Sequence, residues 1–86
     1  MRAPRSIAVE VVLAWPQRQW RVRLLVAPGC TARRAVALAR EAGLDTAGVD
    51  AERGPLGVFG ESVDDDHALE DGDRVELYRP LRQDPK

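Results

Sequence analysis

One thiol, one histidine and a run of carboxylates are the groups in this sequence most able to do chemistry. Cys30 stands just ahead of a helix start, where the helix dipole stabilises a thiolate, and Arg33 and Arg34 follow closely. A reactive thiol also needs a base. The single histidine, His67, lies in a distant segment, and no second cysteine accompanies Cys30. A small buried residue at a strand–helix junction is the stronger reading. Glu61, Asp64, Asp65 and Asp66 offer oxygen ligands for a hard cation. Their spacing lacks the alternation and closing glutamate of an EF-hand loop, so we read an acidic solvated turn. His67 alone makes no metal site. Activation at a chain terminus needs a bare Gly-Gly tail, and this sequence ends Gln83-Asp84-Pro85-Lys86. With no nucleophile–base pair, phosphate-cradling glycine loop or ligand cluster, the sequence points away from an enzyme and from any metal or cofactor.

The residues left to consider are those that could touch another protein, and these depend on strands. Ile7, Val9, Val11 and Leu13 alternate with Ser6, Ala8, Glu10 and Val12, which predicts strand one over Ser6 to Ala14. Trp15-Pro16-Gln17-Arg18 forms a turn. Strand two runs from Gln19 to Ala27, with Trp20, Val22, Leu24 and Val26 on one side and Gln19, Arg21, Arg23 and Leu25 on the other. Pro28-Gly29 ends it, and Thr31 caps a helix over Ala32 to Ala42 whose face is Ala35, Leu38, Ala39 and Ala42, closed by Gly43. Arg33 and Arg34 in its first turn oppose the helix dipole, so docking must supply most of its stability.

Leu44 to Pro55 is expected to be a loop with a short helical turn around Val49–Glu52. Leu56-Gly57-Val58-Phe59-Gly60 is a short strand, and a brief strand near Val63 follows in an acidic turn. Asp71-Gly72-Asp73 is a tight turn, and Val75 and Leu77 then alternate with Arg74, Glu76 and Tyr78 until Pro80 stops the ladder. The order β-β-α-loop-β-(β)-β, with the last strand returning between earlier ones, is that of an α+β, β-grasp (ubiquitin-like) domain: a mixed four- to five-stranded sheet with one main helix on one face. Residues 1–86 make one domain, with residues 1–5 and 82–86 as loose tails.

The bulk composition agrees. An 86-residue chain supports one modest core. Residues 1–40 carry +7 and residues 41–86 carry −8, so folding brings opposite charges together; the basic excess of a nucleic-acid binder is absent. No apolar run approaches the roughly 20 residues of a membrane span, and no secretory segment follows the N-terminus. A single cysteine fits a reducing compartment, which predicts a cytoplasmic protein.

Val9-Glu10-Val11-Val12, Ala14-Trp15-Pro16-Gln17-Arg18-Gln19, Leu56-Gly57-Val58-Phe59-Gly60 and the run from Leu69 through Leu81, followed by Asp84-Pro85-Lys86, resemble the RnfH family of small bacterial ubiquitin-like proteins. The resemblance spans about residue 7 to the end. It departs at Val26-Ala27-Pro28-Gly29-Cys30-Thr31, where the proline comes one place late, at Arg33-Arg34, where such helices usually start acidic, and at Asp64 and Asp65. The resemblance implies a non-catalytic β-grasp protein, often encoded beside a toxin-like or lipid-binding-like protein, and transfers no catalytic residues. An antitoxin-like role with a dedicated partner is the alternative; a sulfur carrier lacks its Gly-Gly.

The sheet face turned away from the helix is therefore the expected partner-binding surface. Val12, Leu25 and Tyr78 would supply apolar contact there, with Arg21, Arg23 and Glu76 setting register. Trp15 at the hairpin tip is a second contact. The partner is another protein, and the chain itself a monomer or weak dimer.

Overall fold

The computed structural model describes residues 6–14, 19–46 and 49–78. The elements follow the order β1 (Ile7–Ala14), β2 (Gln19–Val26), α1 (Ala32–Glu41), β3 (Leu56–Val58), β4 (Glu61–Val63) and β5 (Arg74–Leu77). The sheet order is β2-β1-β5-β3-β4. β5 is parallel to β1 and antiparallel to β3, so the last strand in sequence is the middle strand in space. The five-stranded mixed sheet with one helix is the β-grasp arrangement expected from the element order.

Alternation decides which face meets α1. Register places Val22, Val11, Val75 and Val58 in one row, and Trp20, Leu13, Leu77, Leu56 and Val63 in the next. Leu13, Leu77, Val11, Val36 and Val75 are fully buried. Each such side chain contributes roughly 1.5–3 kcal/mol of burial. Ala32, Ala35 and Ala39 also vanish from solvent, as the close approach of an alanine-rich helix requires.

Both helix ends are closed by the chain itself. The Thr31 hydroxyl accepts from the Arg34 N–H at 3.2 Å. Ala32 N–H donates to the His67 carbonyl and Arg33 N–H to the Asp65 carbonyl. At the far end Gly43 adopts φ 111°, Gly43 N–H donates to the Arg40 carbonyl, and Leu44 N–H to that of Ala39. This is a Schellman closure, completed by a buried Leu44.

The loop after α1 makes one helical turn near Asp50, whose carboxylate accepts from the Glu52 and Arg53 amides, both at 2.9 Å. These bonds lower the Asp50 pKa. Val49 and Ala51 enter the core. Gly54 is sterically required, since a Cβ there would lie 2.6 Å from the Asp50 carbonyl oxygen.

Arg33 ties these segments together. Its guanidinium donates to the carbonyls of Ala51 (3.0 Å) and Gly54 (2.7 Å) and to the Asp65 carboxylate (2.8 Å). The charge that looks misplaced at a helix start therefore serves loops outside the helix. Its Nε is buried without a partner, which offsets part of that gain. Asp65 is well exposed, so the carbonyl bonds matter more than the ion pair.

The structure corrects one strand. Phe59 and Gly60 do not extend Leu56–Val58; they form the turn between β3 and β4, so the segment is a hairpin. The tails, the residue 15–18 turn with Trp15, and Pro80 lie outside the described residues.

Arg33→Ala should lower unfolding free energy by about 2–3 kcal/mol, because two carbonyls lose a charged donor. Exposed Arg34→Ala should change it by less than about 0.5 kcal/mol. Urea denaturation of both variants checks the contrast.

Candidate docking face

The face opposite α1 carries a charged row and an aromatic corner. Glu10 lies in register with Arg23 on one side and Arg74 on the other. Its carboxylate pairs with the in-register Arg74 at 3.2 Å and, diagonally, with Arg21 at 3.4 Å. Among the described residues Arg23 has no ion pair, so three guanidinium groups surround one carboxylate. With the arginine ends well exposed, each such pair contributes only about 0.2–1 kcal/mol. A shallow hollow of about 220 Å³ adjoins it, lined by Ala8, Val9, Glu10, Arg23, Gly72 and Asp73.

The aromatic corner is built around Gly57. A Cβ at that position would come within 2.7 Å of the Tyr78 Cζ, so the tyrosine ring occupies the space the glycine leaves. The Tyr78 hydroxyl donates to Glu76 Oε1 at 2.6 Å, and the Gly60 N–H donates to the same oxygen at 3.0 Å. Burial first, and the Glu76 carboxylate second, push the Tyr78 pKa up to about 12.

Gly60 belongs to the β3–β4 turn, where Phe59 has φ 48° and Gly60 has φ 85°. Two positive φ values in a two-residue loop match a type I′ turn, which favours Asn-Gly. A phenylalanine in this conformation is strained by about 1–2 kcal/mol. Its ring is 60% exposed and meets the Arg74 guanidinium, 5.9 Å from the ring centroid. That cation–π contact contributes about 0.5–1 kcal/mol at an exposed site, less than the strain.

The sequence candidates divide into four groups. Arg21, Arg23 and Leu25 are exposed, Leu25 at 75%. Glu76 and Tyr78 are half-buried and already bonded to each other. Val12 is a correction: it is 6% exposed, lying in register between the longer Arg21 and Glu76, and offers no apolar surface. Trp15 lies outside the described residues. Trp20, expected to face the core, stands 41% exposed at one end of β2. Phe59, 60% exposed, is a large apolar side chain that the sequence reading did not place on the surface. The signal available was Phe-Gly between Leu56-Gly57-Val58 and the polar Glu61-Ser62-Val63, the position of a hairpin turn.

The reactive groups considered first are occupied structurally. Cys30 is half-buried and its thiol donates to the Thr31 carbonyl at 3.6 Å. Burial raises its pKa, outweighing the opposite pull of Arg34. The helix amides that would favour a thiolate already bond to Asp65, His67 and Thr31. Among the described residues no three His, Cys, Asp or Glu side chains are grouped to hold a metal, and no helix is long and apolar enough to cross a membrane.

A family model described as RnfH family Ubiquitin matches residues 7–86. Protein RnfH of Pseudomonas aeruginosa (strain UCBPP-PA14) is 49% identical over 85 residues, covering 94% of this chain and 81% of that protein. Protein RnfH of Laribacter hongkongensis is 46% identical over 88 residues, covering 100% of this chain and 79% of the relative. Among solved structures, Caldiarchaeum subterraneum ubiquitin superposes with a TM-score of 0.62 at 17% identity, covering 90% of this chain and 96% of that one. That likeness is one of fold.

Phe59→Asn should raise stability by roughly 0.5 kcal/mol, since relief of strain exceeds the lost cation–π contact; thermal unfolding measures the sign. The chain has a single tyrosine, so absorbance reads Tyr78 alone. Its titration midpoint should lie near 12, and Glu76→Gln should move it toward the ordinary value of about 10. Because the folded-state pKa is the higher one, this stability is complete below about pH 10 and lost as pH rises toward 12. Tyr78→Phe should remove that alkaline slope.

Proposed function

The chain belongs to the RnfH family of ubiquitin-like proteins, and on that premise we propose that it is a non-catalytic module that binds another protein through the open sheet face. The observation that carries this reading is Phe59. It is held in a strained turn with most of its ring exposed, and what it touches within the chain does not offset the strain. Strain at an exposed side chain is characteristic of positions shaped for contact rather than for stability.

Other features of the face support the same reading. Leu25 is exposed beside Arg23, while Arg74 reaches Phe59 at the opposite side of the face. Tyr78 and Glu76 serve this reading differently from what their sequence positions suggest. They brace the Phe59-Gly60 turn through the Gly60 amide, so they position a contact residue as well as lining the face. A protonated, half-buried Cys30 fits a binding role in the reducing cytoplasm, where we place the protein.

Arg21→Glu combined with Tyr78→Ala should weaken capture of the native partner from the host while the domain stays folded by circular dichroism. Tyr78 also packs on Gly57, so Phe59→Asn is the sharper variant: it should lose capture as stability holds or rises. Unchanged capture by both would remove the face from consideration.

A further inference from the structure

The open face ends at an unusual edge. β2 is the outermost strand, paired with β1 in unbroken register for eight residues, from Ile7↔Val26 to Ala14↔Gln19. Among the described residues, Arg21, Val22, Arg23, Leu24 and Leu25 make no backbone hydrogen bond outside that ladder. The opposite edge, β4, is only three residues long. Short edges protect themselves, whereas a long regular one invites pairing unless charge or proline guards it. β2 contains no proline or glycine, and its guards are Arg21 and Arg23.

Those arginines also discriminate among occupants. They sit two residues apart on the open-face side of the strand, and both are exposed. A second copy pairing antiparallel through β2 about Val22 would set Arg21 against Arg23 across the seam, which is unfavourable. A strand with carboxylates at alternate positions would meet both. On the other side of β2, Val22 and Leu24 are half-buried at the margin of the core, so the intervening positions would pack best if apolar.

We propose that β2 accepts an extended segment of a partner protein, with alternating acidic and apolar residues, as a sixth strand of the sheet. Backbone pairing supplies affinity, and Arg21 and Arg23 select the acidic register. This deepens the binding role proposed above and rests on it.

The test titrates the ¹⁵N-labelled chain with three peptides as long as β2: alternating Glu-Val, alternating Lys-Val, and Glu-Val with alternate backbone nitrogens methylated. The Glu-Val peptide should shift the β2 amides and protect them from exchange, binding at least about tenfold tighter than the Lys-Val peptide. Methylation should abolish binding, and Arg21→Glu with Arg23→Glu should reverse the charge preference. Equal binding of the methylated peptide would overturn strand addition. So would slow exchange of every β2 amide in the free monomer, or a concentration-dependent dimer that protects β2 without peptide. Partner capture lost in Phe59→Asn with no peptide response at β2 would overturn the edge proposal and leave the docking face standing.

Discussion

The insertion of Arg74–Leu77 between β1 and β3 is the constraint on which the remaining structure depends. Val75 and Leu77 complete both apolar rows, so without them the helix would face a split sheet. The turn before β5 fixes that insertion. Gly72, at φ 92°, lets its N–H donate to the Ala8 carbonyl at 2.7 Å, while the Asp71 carboxylate accepts from the Ala8 amide at 2.7 Å. Glu10 N–H then donates to the Asp73 carbonyl, and the parallel ladder begins. The same strand carries Arg74 and Glu76 on its other side. Core and candidate docking face are thus two sides of one four-residue element.

The second organising group is Arg33, whose work lies between elements rather than within one. The loop from residue 44 onward buries Leu44, Val49 and Ala51, but buried loop backbone needs donors for its carbonyls. A single guanidinium supplies them to Ala51 and Gly54 and reaches Asp65 as well. A base of the positive half meets an acid of the negative half here, whereas Glu10 pairs with Arg21 of its own half and with Arg74.

Strands β1, β2 and β5, the Thr31 cap and the Gly43 closure were all legible in the sequence. Each is specified by neighbours a few residues away, through alternation, a capping hydroxyl or a glycine with φ above zero. The Phe59-Gly60 turn was harder because phenylalanine is a strand former, and its local preference opposes the conformation it adopts. Arg33 misled for a different reason: its partners lie 18 to 32 residues away, beyond the reach of helix-dipole reasoning. Val12 alternated correctly onto the open face, yet what buries a residue in mid-sheet is the length of the side chains beside it. Of the face itself, Arg21, Arg23 and Leu25 were read as exposed and are so. The bracing of Phe59 by Glu76 needed the three-dimensional pairing of β3 with β5.

The pairing of Glu10 with Arg74 spans nearly the whole domain, and it sets the order of assembly. The β1–β2 hairpin and α1 can begin to form as they are synthesised, but their shared apolar surface stays incompletely covered until residue 77 is available. A nascent chain is therefore exposed to misassociation for most of its translation, and closure of so non-local a contact is intrinsically slow. A chain ending before Leu77 would hold two hairpins, β1–β2 and β3–β4, without the strand that joins them into one sheet.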